Sequence, residues 1–252
     1  MQDGVSLSHM SAWDDFLKRV ADERNELMEN EGLPIWYRGQ AKAEWELRPA
    51  LLRMNDDKRK EKDLFRTFVR HASRVGPPRS NAWQTLFDMQ HNFLPTRLLD
   101  WTETFGVALF FALQGDHKES AIWILHPQKL NEKHDPKLDV WTPTDLHLDY
   151  QDGYVGGDKN KREIPIAIQA PFQSDRMFAQ RSVFTLHGES EKYEKWKDVV
   201  RKVPFSRDIA PQAREFLGYA NINPFTVFPD VAGFARFMRR NIDLSDDPLS
   251  FV

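Results

Sequence analysis

The spacing of apolar residues divides the chain into short elements. Beginning at the capping residue Ser11, Trp13, Phe16, Leu17, Val20, Leu27 and Met28 recur near helical spacing. That predicts a helix to about Met28, stopped by Gly32 and Pro34. Ile35-Trp36-Tyr37-Arg38 reads as a short strand of β-forming residues closed by Gly39. Asn55 to Lys62 is a charged connector. Leu64, Phe65, Phe68 and Val69 then share one face of a helix from about Lys62 to Arg74. Gly76-Pro77-Pro78 breaks the chain. Asn81 caps a helix carrying Trp83, Leu86, Phe87 and Met89, which must fail before Pro95 because proline disfavours helical geometry in its predecessor.

The stretch QHNFLPTRLLDWTETFGVALFFAL, Gln90 to Leu113, places Arg97 and Asp100 directly before a run that can only be core. Thr102 is the expected cap of a buried helix from Glu103 to Leu113. Ala121 to Leu125 reads as a central strand. Residues 126–158 are polar, with Pro, Asp and Gly, and read as a long surface insertion. Ile164 to Ala170 is a strand whose Pro165 places its start at an edge. Arg176 to Ala179 is a turn or short helix, and Val183 to His187 a further strand. Glu191 to Lys197 looks helical, Val199 to Phe205 extended and Ile209 to Ala220 helical, with a last helix from about Pro229. No repeat or linker interrupts this order. The expectation is one α+β domain over residues 1–252, a central mixed or antiparallel sheet surrounded by helices. Its N-terminal helix lies within 1–32 and its motif-bearing region within 35–238.

Composition narrows the classes. At 252 residues the chain can bury a sizeable core without covalent staples. It has no cysteine, which excludes disulfides and thiolate metal sites. No basic-then-apolar leader opens it, and the longest apolar run, Gly106 to Leu113, is too short to span a bilayer. A cytoplasmic protein without a membrane partner is expected. A net charge of -3 weighs against broad nucleic-acid binding, although local basic patches leave it open. Eight tryptophans and eighteen phenylalanines predict a core rich in rings.

Three clusters could carry chemistry. In WYRGQ, Arg38 ends an aromatic strand and offers a planar fork of donors to phosphate or carboxylate, while Gly39 would let a ligand approach the backbone. The alternative is an arginine paired with a neighbouring carboxylate. In HNFLPTRLLDWT, the polar groups of His91, Thr96, Arg97, Asp100 and Thr102 crowd against Leu98, Leu99 and Trp101. Burying unpaired charge is costly, so Arg97 and Asp100 should be paired, with each other or elsewhere, either at a structural junction or lining a pocket. His91 has no partner at metal-binding spacing, and no metal is expected. Glu103 in the first turn of the following helix disfavours an anion site there. In SDRMFAQRSVFTLH, Arg176 and Gln180 lie four apart on one side of a helical turn, and Gln180 stands where a strand begins. Polar capping of that strand is the competing reading. There is no GxSxG, P-loop or GxGxxG.

In order, WYRG, QHNFLPTRLLDWT with ALFFA, DRMFAQRSVFTLH and NPFTVFPDVAGFARFM resemble the FRG domain family, from Ile35 to about Met238. That family carries an aromatic-Arg-Gly motif, a Gln-His-x-Gly-x-Pro-Thr-Arg-Leu-Leu-Asp-Trp-Thr box, an Arg-x-x-x-Gln-x-Gly-x-Phe box and a Phe-Pro-Asp element. Phe93 and Ser182 stand where the family usually has glycine. The order is also similar, more distantly, to arginine-type ADP-ribosyltransferases. That resemblance implies NAD as substrate, a macromolecular acceptor, and a role such as toxin or antiphage effector. Arg38, with Tyr37 and Gly39 beside it, would clamp phosphate. Arg97 and Asp100, with His91 and Thr102, would organise the cleft floor or touch ligand. Arg176 and Gln180 would meet ribose or acceptor. Gln180 stands where those enzymes carry a glutamate, so it can hydrogen-bond there but not supply charge. Two other readings stay open: a non-catalytic recognition domain for a nucleotide or phosphorylated ligand, and a nucleic-acid-binding or nuclease module.

Overall fold

The structure, a computed structural model, describes residues 7–28, 34–54, 58–72, 74, 79, 81–136, 139–140, 142, 150–155 and 162–241. Gly32, the start of the charged connector and the Gly76-Pro77-Pro78 break lie outside the described residues. In chain order the elements are α1 (Leu7–Leu27), β1 (Trp36–Gln40), α2 (Ala50–Arg53), α3 (Lys58–Ala72), α4 (Ala82–His91) and β2 (Leu98–Thr102). Then come α5 (Phe105–Ala112), β3 (Glu119–Leu125), α6 (Pro127–Glu132), β4 (Ile166–Ile168), α7 (Asp175–Ala179) and β5 (Ser182–Leu186). The chain continues through β6 (Val200–Ser206), α8 (Ala210–Tyr219), α9 (Pro224–Val227) and α10 (Val231–Asn241).

The six strands form one antiparallel sheet in the order β4-β5-β2-β1-β3-β6. The α+β expectation holds, and β4 lies at an edge, where Pro165 placed it. Strand period divides the core between the two faces. Tyr37, Ile122, Ile124, Val203 and Phe205 pack with α1, α5 and α8 on one face. Leu98, Phe184, Leu186, Ile166 and Ile168 turn the same way and pack with α3 and α4. The opposite face carries Trp36, Leu99, Trp101, Trp123, Ala167 and Val183, closed by Trp196, Leu130 and Leu47. Because α5 meets apolar neighbours all round, its sequence, FGVALFFA, is hydrophobic on every side.

Several expectations are corrected. LLDWT, to which the spacing gave no element, is strand β2, paired with β5 from Leu98↔Leu186 to Thr102↔Ser182. The helix after it starts at Phe105, not Glu103. Its N-cap is Thr104, and the Thr102 hydroxyl instead accepts from the Thr104 N–H at 3.0 Å. Residues 126–158 are not all surface. His126, Leu130, Asn131, Tyr150 and Tyr154 are buried, and Asn131 bonds both the N–H and the carbonyl of Ala167 on β4 (2.8 and 2.9 Å). The helix expected at Glu191 to Lys197 is two short 3₁₀ turns, Tyr193–Lys195 and Lys197–Val199.

Candidate functional site

The box QHNFLPT is built by the end of α4. Asn81 caps its start, accepting from the Gln84 N–H at 2.9 Å. At its end the Leu94 N–H returns to the Met89 carbonyl (3.0 Å) and the Phe93 N–H to Gln90 (3.1 Å). This double return requires a left-handed residue between, normally glycine. Phe93 takes it, at φ 61. Its ring is left 71% exposed and lies against the Arg176 guanidinium, 4.4 Å from its centroid. Phe228, just after α9, covers Arg176 from another direction at 4.8 Å.

Around Asp100 the polar groups converge. Asp100 is exposed on β2 and accepts from the Gln90 amide at 2.7 Å. Gln90 in turn accepts from the Thr96 hydroxyl. Strands β1 and β2 share a single register pair, Tyr37↔Thr102, and beyond it Arg38 donates Nη1–H to the Asp100 carbonyl at 2.6 Å. The Arg38 Nε–H is buried and has no acceptor among the described residues. Burial pushes the Arg38 guanidinium below the usual arginine range; Asp100 opposes this and Arg53 adds to it. Arg176 is likewise lowered by burial, against the pull of Asp100 and Asp230. Both arginines therefore sit within electrostatic reach of Asp100. Their approaches differ: register pairs Arg38 with Trp123, so its side chain starts on the face opposite that of Asp100.

The remaining expected residues are placed as follows. Gln180 C-caps α7. Its side-chain amide donates to the Val227 carbonyl at 3.1 Å, and its backbone carbonyl accepts from the Thr102 hydroxyl at 2.6 Å. Thr102 thus ties β2 to α7 and is buried. His91 ends α4; its carbonyl accepts from Arg176 (3.3 Å) and its Nδ1 lies 3.4 Å from the Ser174 hydroxyl. Burial, then the Arg176 charge, holds its imidazole below the usual range, with Asp88 and Asp230 opposing. Tyr37 is a core residue edge-on to Phe105, and burial raises its phenol despite Arg24. Gly39 accommodates a helix, not an open approach: a Cβ there would stand 1.8 Å from the Ala108 carbonyl oxygen of α5.

Arg97 and Asp100 are not paired with each other. Arg97 is 1% exposed and clamped by Glu61 of α3, with Nε 2.8 Å from both carboxylate oxygens, and by Glu189 at 3.0 Å. Tyr150 donates to Glu61 as well, at 2.5 Å. Burial works against the charge on Arg97, yet the hydrogen bonds and charge of Glu61 outweigh it and hold the guanidinium above its usual range. The pair docks α3 onto the start of β2 and sits away from solvent. Sequence reasoning missed Gln90, Arg53, Asp230 and the two rings on Arg176. Gln90 and Asp230 stand in the QHNFLPT and FPD motifs, so their signal was on the page; Arg53 has none.

The family model of the FRG domain matches residues 34–121, about a third of the chain. That stretch holds β1, α4, β2, α5 and the start of β3, and the match supports FRG kinship there. No curated protein and no solved structure is significantly similar to the chain. No helix among the described residues is long and apolar enough to cross a membrane.

Proposed function

We propose that the chain binds NAD beside Asp100 and is an ADP-ribosyltransferase-like protein acting on a macromolecular acceptor, as a toxin or antiphage effector would. What carries the reading is that Arg38 and Arg176 both lie within electrostatic reach of Asp100, Arg38 through its bond to the Asp100 backbone carbonyl, with the Arg38 Nε–H buried and unspent. A buried donor without a partner asks for an acceptor, and desolvated guanidinium groups bind phosphate oxygens strongly. Arg38 and Arg176 take the pyrophosphate. Gln180, at the junction of α7 and β5, meets ribose or acceptor once its bond to Val227 is exchanged.

One observation favours a second reading, nucleotide recognition without turnover. Gln180 is neutral and its amide is already spent on a backbone carbonyl, so it offers no charge to an oxocarbenium-like ribose. Calorimetric titration of NAD separates the outcomes, run on wild type, Arg38→Lys, Arg38→Ala and Arg176→Ala. The expected result is weakening by about tenfold or more in both alanine variants, since a charge-assisted bond contributes ~1.5–3 kcal/mol. Unchanged affinity in Arg38→Ala and Arg176→Ala sinks the assignment. Nicotinamide released from NAD in cell lysate, and lost in Gln180→Ala, marks a transferase; tight binding with no release marks a recognition domain.

A further inference from the structure

A cavity with a volume of about 530 Å³, within the range of small-ligand sites, lies on the sheet face that carries Trp123. One wall is the loop after β1, with Glu44, Trp45 and Glu46. The other is the loop after β5, with Glu189, Glu191 and Tyr193. Trp123 of β3 lies between them, edge-on to Tyr193 with ring centroids 6.4 Å apart. Trp45 and Tyr193 are 44% and 42% exposed, large rings left open at the rim.

Two of the carboxylates, Glu189 and Glu191, are held in place from behind. Glu189 accepts from the buried Arg97 at 3.0 Å. The Glu191 carboxylate only accepts, so His187 carries a proton on Nδ1, pointing at Glu191 at 2.5 Å. The His187 Nε2 lies 2.7 Å from the Thr185 hydroxyl, which accepts from the Trp101 indole N–H (2.9 Å). Glu46 has no ion pair among the described residues, and Glu44 meets only Lys42, at the surface. Two cations also line the cavity, and neither is idle. Lys202 donates to the Ala43 carbonyl and lies 5.1 Å over the Trp123 ring, and Arg48 has a partner of its own. Lys202 shows the chemistry this wall accepts: an ammonium head resting on an indole face.

We propose that this cavity binds an organic cation on an aliphatic stem, its head between the Trp45 and Tyr193 rings and the glutamate carboxylates. Aromatic faces attract a cation through their quadrupole, and carboxylates fixed in advance add directed acceptors without reorganisation. The site is independent of the NAD reading, since Arg38, Arg176 and Gln180 do not line it. The same head group is offered by an arginine or lysine side chain of a basic peptide and by a free polyamine.

Calorimetry on the full chain tests it with three probes: acetyl-Gly-Arg-Gly-amide, spermidine, and acetyl-Gly-Gln-Gly-amide as the neutral control. Trp45 and Glu46 are exposed, so Trp45→Ala and Glu46→Gln should fold as wild type. Saturable binding of the arginine peptide or of spermidine is expected, with the neutral peptide silent. Each variant should weaken it by about tenfold. The tighter of the two cations identifies the source. No saturable binding of either cation, equal binding of the neutral peptide, or full affinity in both variants overturns the proposal.

Discussion

At Gly39 a hydrogen atom stands where any other residue would drive a carbon into the Ala108 carbonyl of α5. Backbone is the obstacle, so no rotamer change relieves it. Gly39→Ala is expected to cost more than about 3 kcal/mol, a fall in Tm of roughly 6–12 °C for a chain of this size. Thermal unfolding followed by circular dichroism checks it; an unchanged Tm would mean that α5 sits further from β1 than described. Phe93 is the converse case. The turn that ends α4 calls for glycine, and a phenylalanine in the left-handed region is strained. In exchange its ring covers Arg176, a contact glycine could not make. The sequence pattern flagged both positions. It could not say that the first is a helix contact and the second a helix end, because each depends on a segment distant in sequence or on a backbone angle.

Among the elements, α3 is held by charge as well as by Phe65. Glu61 and Arg97 lie 36 residues apart, so no local spacing relates them. Sequence reasoning correctly required a partner for Arg97 but could not find it. Glu61→Ala leaves a buried guanidinium short of its main partner and should cost about 3–5 kcal/mol in urea unfolding. The double variant Glu61→Leu/Arg97→Met, which removes both charges, should recover much of that loss. A double variant as unstable as the single one would place the cost in packing alone. Helices with one apolar face were legible because 3.6-residue spacing survives in the sequence. Strand β2 was not, because Asp100 interrupts its apolar run, and alternation over five residues is a weak signal.

For the molecule as a whole, the family match and the folding unit do not coincide. Residues 34–121 contain β1, β2 and the first part of β3. Yet β2 is completed by β5 on one side and β3 by β6 on the other, and β4 closes the edge. Cut at residue 121, the fragment would expose both free strand edges and the apolar groups that Phe184, Val203 and Phe205 cover. Expressed alone, residues 34–121 should give amide protons that exchange as in an unfolded chain, or aggregate, while the full chain shows protected strands. Protected β1 amides in the fragment would contradict this.

The sheet also has a seam. Strands β4, β5 and β2 make one leaf and β1, β3 and β6 the other; their side chains share a core, but along the β1–β2 backbone seam they meet in one register pair and the Arg38 bond to the Asp100 carbonyl. Arg38 therefore works as a clasp between two leaves, and whatever competes for its donors also loosens or tightens the clasp. A ligand arriving at the seam would be felt on both faces of the sheet at once.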